Sequence, residues 1–243
     1  MRFRKFLFPA LMALLVLTAC GKKTTSTSTA ETSPSATTPS LSSSSPNSSA
    51  SSVKSESKTS GSKSLAKFTQ SQPNPDPEGK FIEVKIGNLE TYNYKTGLFQ
   101  IDAPKDWQPS DKSKPGEAIV LWYDPSKNSF LNVDIFKSPN QASSDQLTPL
   151  LQNFLKSSLG TKSDFAMEAP VTQPDGSVRI VWSFVETVGS RKARILGNSF
   201  IEPKGDKVSV LNIGVLEPQF DKLQDSLTKV VNSYKVNPSI QVQ

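Results

Sequence analysis

Three runs near the carboxyl end decide the fold: SVRIVWSFVET (177–187), RKARILGNSFI (191–201) and KVSVLNIGVL (207–216). β-Branched and aromatic residues dominate them, which is strand composition. PDG (174–176) precedes the first run, and PKGD (203–206) separates the second from the third. Both tracts carry hairpin chemistry, and connections this short cannot carry a parallel crossover, so the runs pair antiparallel. In the first run Val178, Ile180, Trp182 and Phe184 line one face, while Val181 and Val185 put apolar groups on the other. In the third, Val208 and Val210 oppose Leu211, Ile213 and Val215. Strands apolar on both faces need cover on both sides.

Two amphipathic stretches can supply that cover. Leu147, Leu150, Leu151, Phe154, Leu155 and Leu159 recur at helical spacing, with Gly160 placed for a C-terminal cap. Pro149 belongs in a first turn, so a regular helix is expected from Thr148 as N-cap, with 143–147 as a looser lead-in. The second helix is expected from Pro218, its stripe being Phe220, Leu223, Leu227, Val230, Val231 and Tyr234. Further strands are expected at 81–86, 98–102, 118–123, 130–136 and 164–169. Residues 80–243 thus read as one α+β domain: an α/β/α sandwich with a central, mainly antiparallel sheet and helices on both faces. Its 164 residues suffice for an ordinary core.

The remainder of the chain has a different character. Arg2, Arg4 and Lys5 precede an apolar run from Phe6 to Ala19, too short to span a bilayer comfortably and interrupted by Pro9. It closes on Leu17-Thr18-Ala19-Cys20, which resembles a bacterial lipoprotein signal with its lipobox. The expectation is a signal peptide at 1–19 and lipid attachment at Cys20, with palmitate-type acyl chains. Each buried methylene contributes ~0.8 kcal/mol, so two or three chains anchor a protein durably. The expected location is the periplasmic or thylakoid-lumenal face of a membrane. Residues 20–79 follow as a Ser/Thr/Pro-rich linker. From Thr24 to Ser64, 26 of 41 residues are Ser or Thr, and Pro73, Pro75 and Pro77 extend the tract. Such a stretch has too little apolar surface to offset its ordering entropy and is expected to be disordered, with a root-mean-square span of ~40 Å. Glycosylation and a plain solvated tether are both compatible with it.

Charge and composition exclude several classes of function. The net +6 falls to +1 over residues 80–243, which gives no support to nucleic-acid binding. Cys20 is the sole cysteine and histidine is absent. Intrachain disulfides, cysteine nucleophiles, Ser-His-Asp triads and Cys- or His-ligated zinc are therefore excluded. No glycine-rich phosphate loop is present; Gly87 and Gly97 stand alone as turn glycines. Ser-x-x-Lys spacings occur, but are too short to carry a hydrolase assignment in so serine-rich a chain.

Two stretches resemble one family. Tyr94 to Trp107 (YKTGLFQIDAPKDW) is similar to the opening of PsbP-type domains, where an aromatic precedes a strand followed by Pro and then Trp. LTKVVNSYKV (227–236) resembles the closing helix of the same family. The likeness spans roughly 90–237 and implies the α/β/α sandwich shared by PsbP and Mog-type proteins. It also implies a non-enzymatic accessory protein docking on a membrane complex, photosystem II or its assembly intermediates first among them. The alternative is an envelope lipoprotein of a non-photosynthetic bacterium, binding a small molecule or another envelope protein. The nuclear Ran-binding branch conflicts with a lipoprotein signal. Histidines that join metal sites in some members have no counterpart here.

Candidate site residues follow from the same reading. Arg179, Arg191, Lys192 and Arg194 lie on neighbouring expected strands. They can steer an acidic partner, or serve as sheet-edge charge that suppresses aggregation. Asp124-Pro125-Ser126-Lys127-Asn128 spaces oxygen ligands as a calcium loop does. It has Ser129 where such a loop needs Gly and Ile135 where it needs Glu, so a plain turn is expected. Asp102, Asp106 and Asp111 can gather at one edge around Ca²⁺ or Mn²⁺, or stay solvated separately. Trp107, Trp122 and Trp182 read as core rather than as a binding cage. No cofactor and no metal are expected.

Overall fold

The computed structural model describes residues 62–70, 75, 76, 78, 81–138 and 142–243. Cys20, the signal segment and most of the expected linker lie outside the described residues. Among the described residues, no helix is long and apolar enough to cross a membrane.

Among the described residues, eleven strands and two helices follow one another. The strands are β1 (Leu89–Asn93), β2 (Phe99–Pro104), β3 (Gln108–Asp111), β4 (Glu117–Tyr123), β5 (Phe130–Lys137), β6 (Ser163–Met167), β7 (Val171–Thr172), β8 (Val178–Val188), β9 (Arg191–Lys204), β10 (Lys207–Leu216) and β11 (Lys235–Val236). Helix α1 (Ser144–Leu159) lies between β5 and β6; α2 (Phe220–Ser233) follows a 3₁₀ turn at Glu217–Gln219. The main sheet runs β3-β4-β5-β10-β9-β8-β6, with β7 also on β8; β1, β2 and β11 form a small second sheet. Every pairing among the described residues is antiparallel. The protein is therefore an α+β fold built on an antiparallel sheet.

Each of the three deciding runs becomes a long strand, and β10 matches its expected bounds of 207–216. Gly176 and Gly205 have φ of +84° and +67°, the left-handed conformations that let the PDG and PKGD tracts turn. Successive residues of β8 to β10 alternate between two buried clusters. One joins Val178, Ile180, Trp182, Ile195, Ile201 and Val210 to Leu147, Leu151 and Leu155 of α1. The other joins Val181, Leu196, Phe200, Leu211 and Ile213 to Phe220, Leu223, Leu227, Val230 and Val231 of α2. Each such fully buried side chain contributes about 2 kcal/mol.

A ladder of rings crosses the first of these clusters. Trp182 stacks on Phe184 at 5.7 Å and on Phe130 at 6.0 Å, although Phe130 lies three strands away on β5. Gly197 and Gly214, on the intervening β9 and β10, make room for it. A Cβ on Gly197 would sit 2.0 Å from the Trp182 ring, and one on Gly214 would sit 2.5 Å from Phe130. Trp182 Nε1 donates to Ser199 Oγ at 2.7 Å, so the indole is buried without an orphaned donor.

Three expectations fail, each for a physical reason. Residues 81–86 form no strand. Gln219 takes the place of a neighbouring strand: its Oε1 accepts from Val84 N at 2.9 Å, and its Nε2 donates to Ile82 O at 3.0 Å. Helix α1 begins at Ser144 rather than after Thr148. Gln146 Oε1 accepts from Ser143 N at 3.1 Å and fixes the earlier start. Pro149 sits inside the helix at an exposed position, where water can satisfy the carbonyl its missing N–H leaves free. Third, the folded region does not begin at 80. Residues 62–69, expected within the disordered linker, pack along the domain, and Lys63 and Leu65 are buried.

Candidate functional site

Residues 62–69 lie in a groove whose floor is β8 and β9 and whose wall is α2. Arg179, Val181, Asn198, Phe200 and Glu202 share the face of these two strands that looks toward α2. The main contacts of α2 with the strands are on β2 and β10, which leaves this part of the face to the extended segment. Leu65 joins the cluster that contains Val181, Leu196 and Phe200.

Side chains grip the segment along its length. Asn232 of α2 accepts from Lys63 N at 2.9 Å and donates to Lys63 O at 3.0 Å. Asn198 does the same for Ala66, with both contacts at 2.9 Å. Each amide thus reads one residue's N–H and C=O as a neighbouring strand would. Gln173 Oε1 accepts from Ser64 N at 3.2 Å, and Arg179 donates to Ser64 O at 2.7 Å. Farther along, Lys67 meets Asp221 at 2.5 Å, and Thr69 N donates to Glu168. Among the described residues, no backbone–backbone hydrogen bond joins 62–69 to the domain.

The Lys63 pocket has the strongest electrostatics in the groove. Its Nζ lies 2.6 Å from Asp175 and 3.1 Å from Glu202, with side-chain exposures of 9%, 16% and 8% respectively. Burial alone would lower the Lys63 pKa, but the two carboxylates outweigh it and raise it above the ordinary lysine value. For Asp175, burial pushes upward, while hydrogen bonds from Lys63 and Ser177 prevail and hold the carboxyl below its ordinary value. Asp175 also accepts from Ser177 N at 3.0 Å, which ties the pocket to the PDG turn.

The four basic candidates are not brought together. Arg179 pairs with Phe200 at one end of the β8–β9 hairpin, whereas Arg191, Lys192 and Arg194 pair with Val188, Thr187 and Val185 at the other. Arg179 holds Ser64. Arg191 donates to Glu78 O at 3.1 Å, and Arg194 is buried with its Nε 3.5 Å from Glu217. Lys192 is exposed.

Nor do the acidic candidates converge. Asp102 accepts from Thr91 Oγ1 at 2.6 Å, and Asp106 lies in the turn between β2 and β3. Asp111 accepts from Ser113 N at 2.9 Å and pairs with Lys95 at 3.0 Å; Ser113 first, then Lys95, holds its carboxyl down at about 2. Asp124 is saturated by its own turn, accepting from Ser126 N at 2.8 Å and Ser129 N at 2.6 Å. Among the described residues, no group of three or more His, Cys, Asp or Glu could hold a metal ion.

All three tryptophans are buried. Trp182 belongs to the ring ladder. Trp107 and Trp122 instead meet Tyr92, Pro104 and Pro109 at a shallow cleft of ≈ 220 Å³. A further group escaped the sequence reading: Asp134, buried on β5. Burial first, then the neighbouring Glu117 carboxylate, pushes its pKa well above the ordinary aspartate value.

The fold has counterparts among solved structures. The chain is similar to the solution structure of cyanobacterial PsbP (CyanoP) from Synechocystis sp. PCC 6803, with 19% identity over 66% of this chain and 99% of that one, at a TM-score of 0.46. It is similar to the Saccharomyces cerevisiae Ran-binding protein Mog1p, with 11% identity over 61% of this chain and 95% of that one, at 0.42. It is also similar to LpqN, a protein involved in cell envelope biogenesis of Mycobacterium tuberculosis, with 12% identity over 62% of this chain and 91% of that one, at 0.40. No protein-family model and no curated protein matches the chain. At TM-scores below 0.5 its function has to be read from its own residues.

Proposed function

We propose that this is a non-enzymatic binding protein, lipid-anchored through Cys20 on the periplasmic or thylakoid-lumenal side of a membrane, that docks an α/β/α domain onto a membrane complex. One observation carries the binding reading: the groove along β8, β9 and α2, in which two asparagines and a buried acid pair grip an extended segment. This is how a recognition surface holds a peptide. At the exposed end of the β8–β9 hairpin, Lys192 beside Arg191, itself 3.9 Å from Asp76, can help steer an acidic partner.

Photosystem II and its assembly intermediates are the first complex to test, on the strength of the likeness of residues 94–107 and 227–236 to PsbP-type domains. The experiment is affinity purification of the tagged full chain from its native membranes in mild detergent. Recovery of photosystem subunits supports that partner, whereas envelope proteins in their place favour the alternative, an envelope lipoprotein of a non-photosynthetic bacterium. Mass spectrometry of the mature amino terminus tests the anchor: an unmodified Cys20 removes it.

A further inference from the structure

We propose that the groove between α2 and the β8–β9 hairpin is a binding site for an extended, lysine-bearing peptide segment. Residues 62–69 are its exchangeable resident occupant, so a partner's segment of like chemistry docks by displacing them. The inference deepens the binding reading above and rests on it, but needs neither the anchor nor any particular membrane complex.

The contacts fall into the classes that peptide recognition uses. Asn232 and Asn198 hold the backbone of Lys63 and Ala66, and backbone bonding accepts any side chain. The selective contacts come from two positions. Asp175 and Glu202 close on the Lys63 ammonium from two sides; with the pocket empty they keep only Ser177 and the half-exposed Lys204, 3.3 Å from Glu202, which leaves an acidic pocket that favours a cationic side chain. Two residues on, Leu65 enters the apolar patch of Val181, Leu196 and Phe200. The groove therefore specifies Lys-x-aliphatic-x in extended form.

The manner of attachment makes the occupant separable. A core strand is tied through its backbone on both sides, but among the described residues 62–69 is held by side chains alone. In sequence it continues a Ser/Thr-rich tract, and its partners lie more than 100 positions away, at Gln173, Asn198 and Asn232. Such a segment can leave while β8, β9 and α2 keep their own pairings. A cis occupant also weakens any trans ligand by the fraction of time it fills the site.

The test uses the full chain and a fluorescent peptide with the sequence of residues 61–70 (GSKSLAKFTQ). In the double variant Lys63→Glu, Leu65→Asp, the resident segment is repelled by Asp175 and Glu202 and the groove is vacated. Fluorescence anisotropy should show the peptide binding this variant at least about tenfold more tightly than the parent. Adding Asp175→Asn and Glu202→Gln should remove most of that binding, and a peptide carrying Glu in place of its first Lys should not bind. A natively folded double variant that ignores the peptide overturns the proposal. So does equal binding to parent and variant, or equal binding of the charge-swapped peptide. Should the variant fail to fold, hydrogen exchange on the parent decides. Amides of 62–69 that open at least about 100-fold more readily than those of β10 support an exchangeable occupant. Amides that exchange only with global unfolding overturn it. A negative peptide result leaves purification of a membrane complex unaffected, so the two readings fail separately.

Discussion

Strand β10 and the segment 62–69 both cross the domain in extended form, yet opposite means hold them. β10 is bonded in continuous register to β5 on one side and β9 on the other, and all ten of its residues are buried. The 62–69 segment has no backbone ladder; two asparagines, a glutamine, an arginine and several carboxylates hold it. A ladder is cooperative and indifferent to most side chains. A row of side-chain clamps depends on sequence and can be taken apart one clamp at a time.

The largest expected effect lies on the ladder side. Gly197→Val would drive a side chain into the Trp182 ring, against which even a Cβ would lie at 2.0 Å. A loss of about 3 kcal/mol or more is expected in urea unfolding. Because β9 pairs with both β8 and β10, amide exchange should rise throughout the sheet.

Next comes the lysine clamp. Lys63→Met sets an apolar group against Asp175 and Glu202, which keep only Ser177 and Lys204 as partners, at a cost of about 2 kcal/mol. The contrast with Gly197 lies in where the loss appears. Exchange should rise over 62–69 while β10 remains protected, and Glu202→Gln added to Lys63→Met should recover part of the loss. The pH dependence follows from the two shifts. The lowered carboxyl of Asp175 contributes stability above the ordinary aspartate value of about 4, and this is lost as pH falls through its lower folded value. The raised Lys63 contributes below about 10.5, and this is lost as pH rises through its higher folded value. The clamp should therefore be insensitive to pH between about 5 and 9 and loosen outside that window.

The two regions also differ in how far sequence reveals them. Lys207 to Leu216 carries its own alternation between turn signals, so its strand is legible with its limits. The 62–69 segment is masked by the serine-rich tract in which it begins. Leu65 and Phe68 are the local cue, and their force comes from partners remote in sequence, such as Asn232, 169 positions from Lys63. For the same reason Arg179, Arg191, Lys192 and Arg194 are readable as basic strand residues, but not as separate ends of one hairpin. Short, largely exposed β3 and β7 carry little apolar pattern to find.

A third test falls within the sheet. Asp134, buried beside Glu117, gives up its proton at a higher pH than an unfolded aspartate, which loses it near about 4. Between those values the folded state binds more protons than the unfolded one, so stability falls as pH rises. Asp134→Asn should flatten that slope, so that its gain in urea midpoint over the parent grows from about pH 5 to about pH 8. The gain should appear in the global unfolding of the sheet and leave exchange at 62–69 at its parent level relative to it.

The smallest effect separates the two modes of holding most sharply. Asn198 sits on β9, fully buried, with its backbone in the ladder and its side chain on Ala66. Asn198→Ala keeps the first role and removes the second, leaving the Ala66 N–H and C=O without their partner. Unmet groups of this kind cost about 1 kcal/mol each when buried, and less where water reaches them, as it can at half-buried Ala66. A loss of about 1 kcal/mol is therefore expected, read as faster exchange at Ala66 and its neighbours with the urea midpoint almost unchanged. Asn198→Asp is the sharper variant. It keeps an acceptor for Ala66 N–H, puts a second acceptor against Ala66 O, and buries a charge in the floor of the groove. If 62–69 is clamped by side chains, Asp should loosen it more than Ala does. If its hold came from apolar burial of Leu65 alone, the two variants would release it equally.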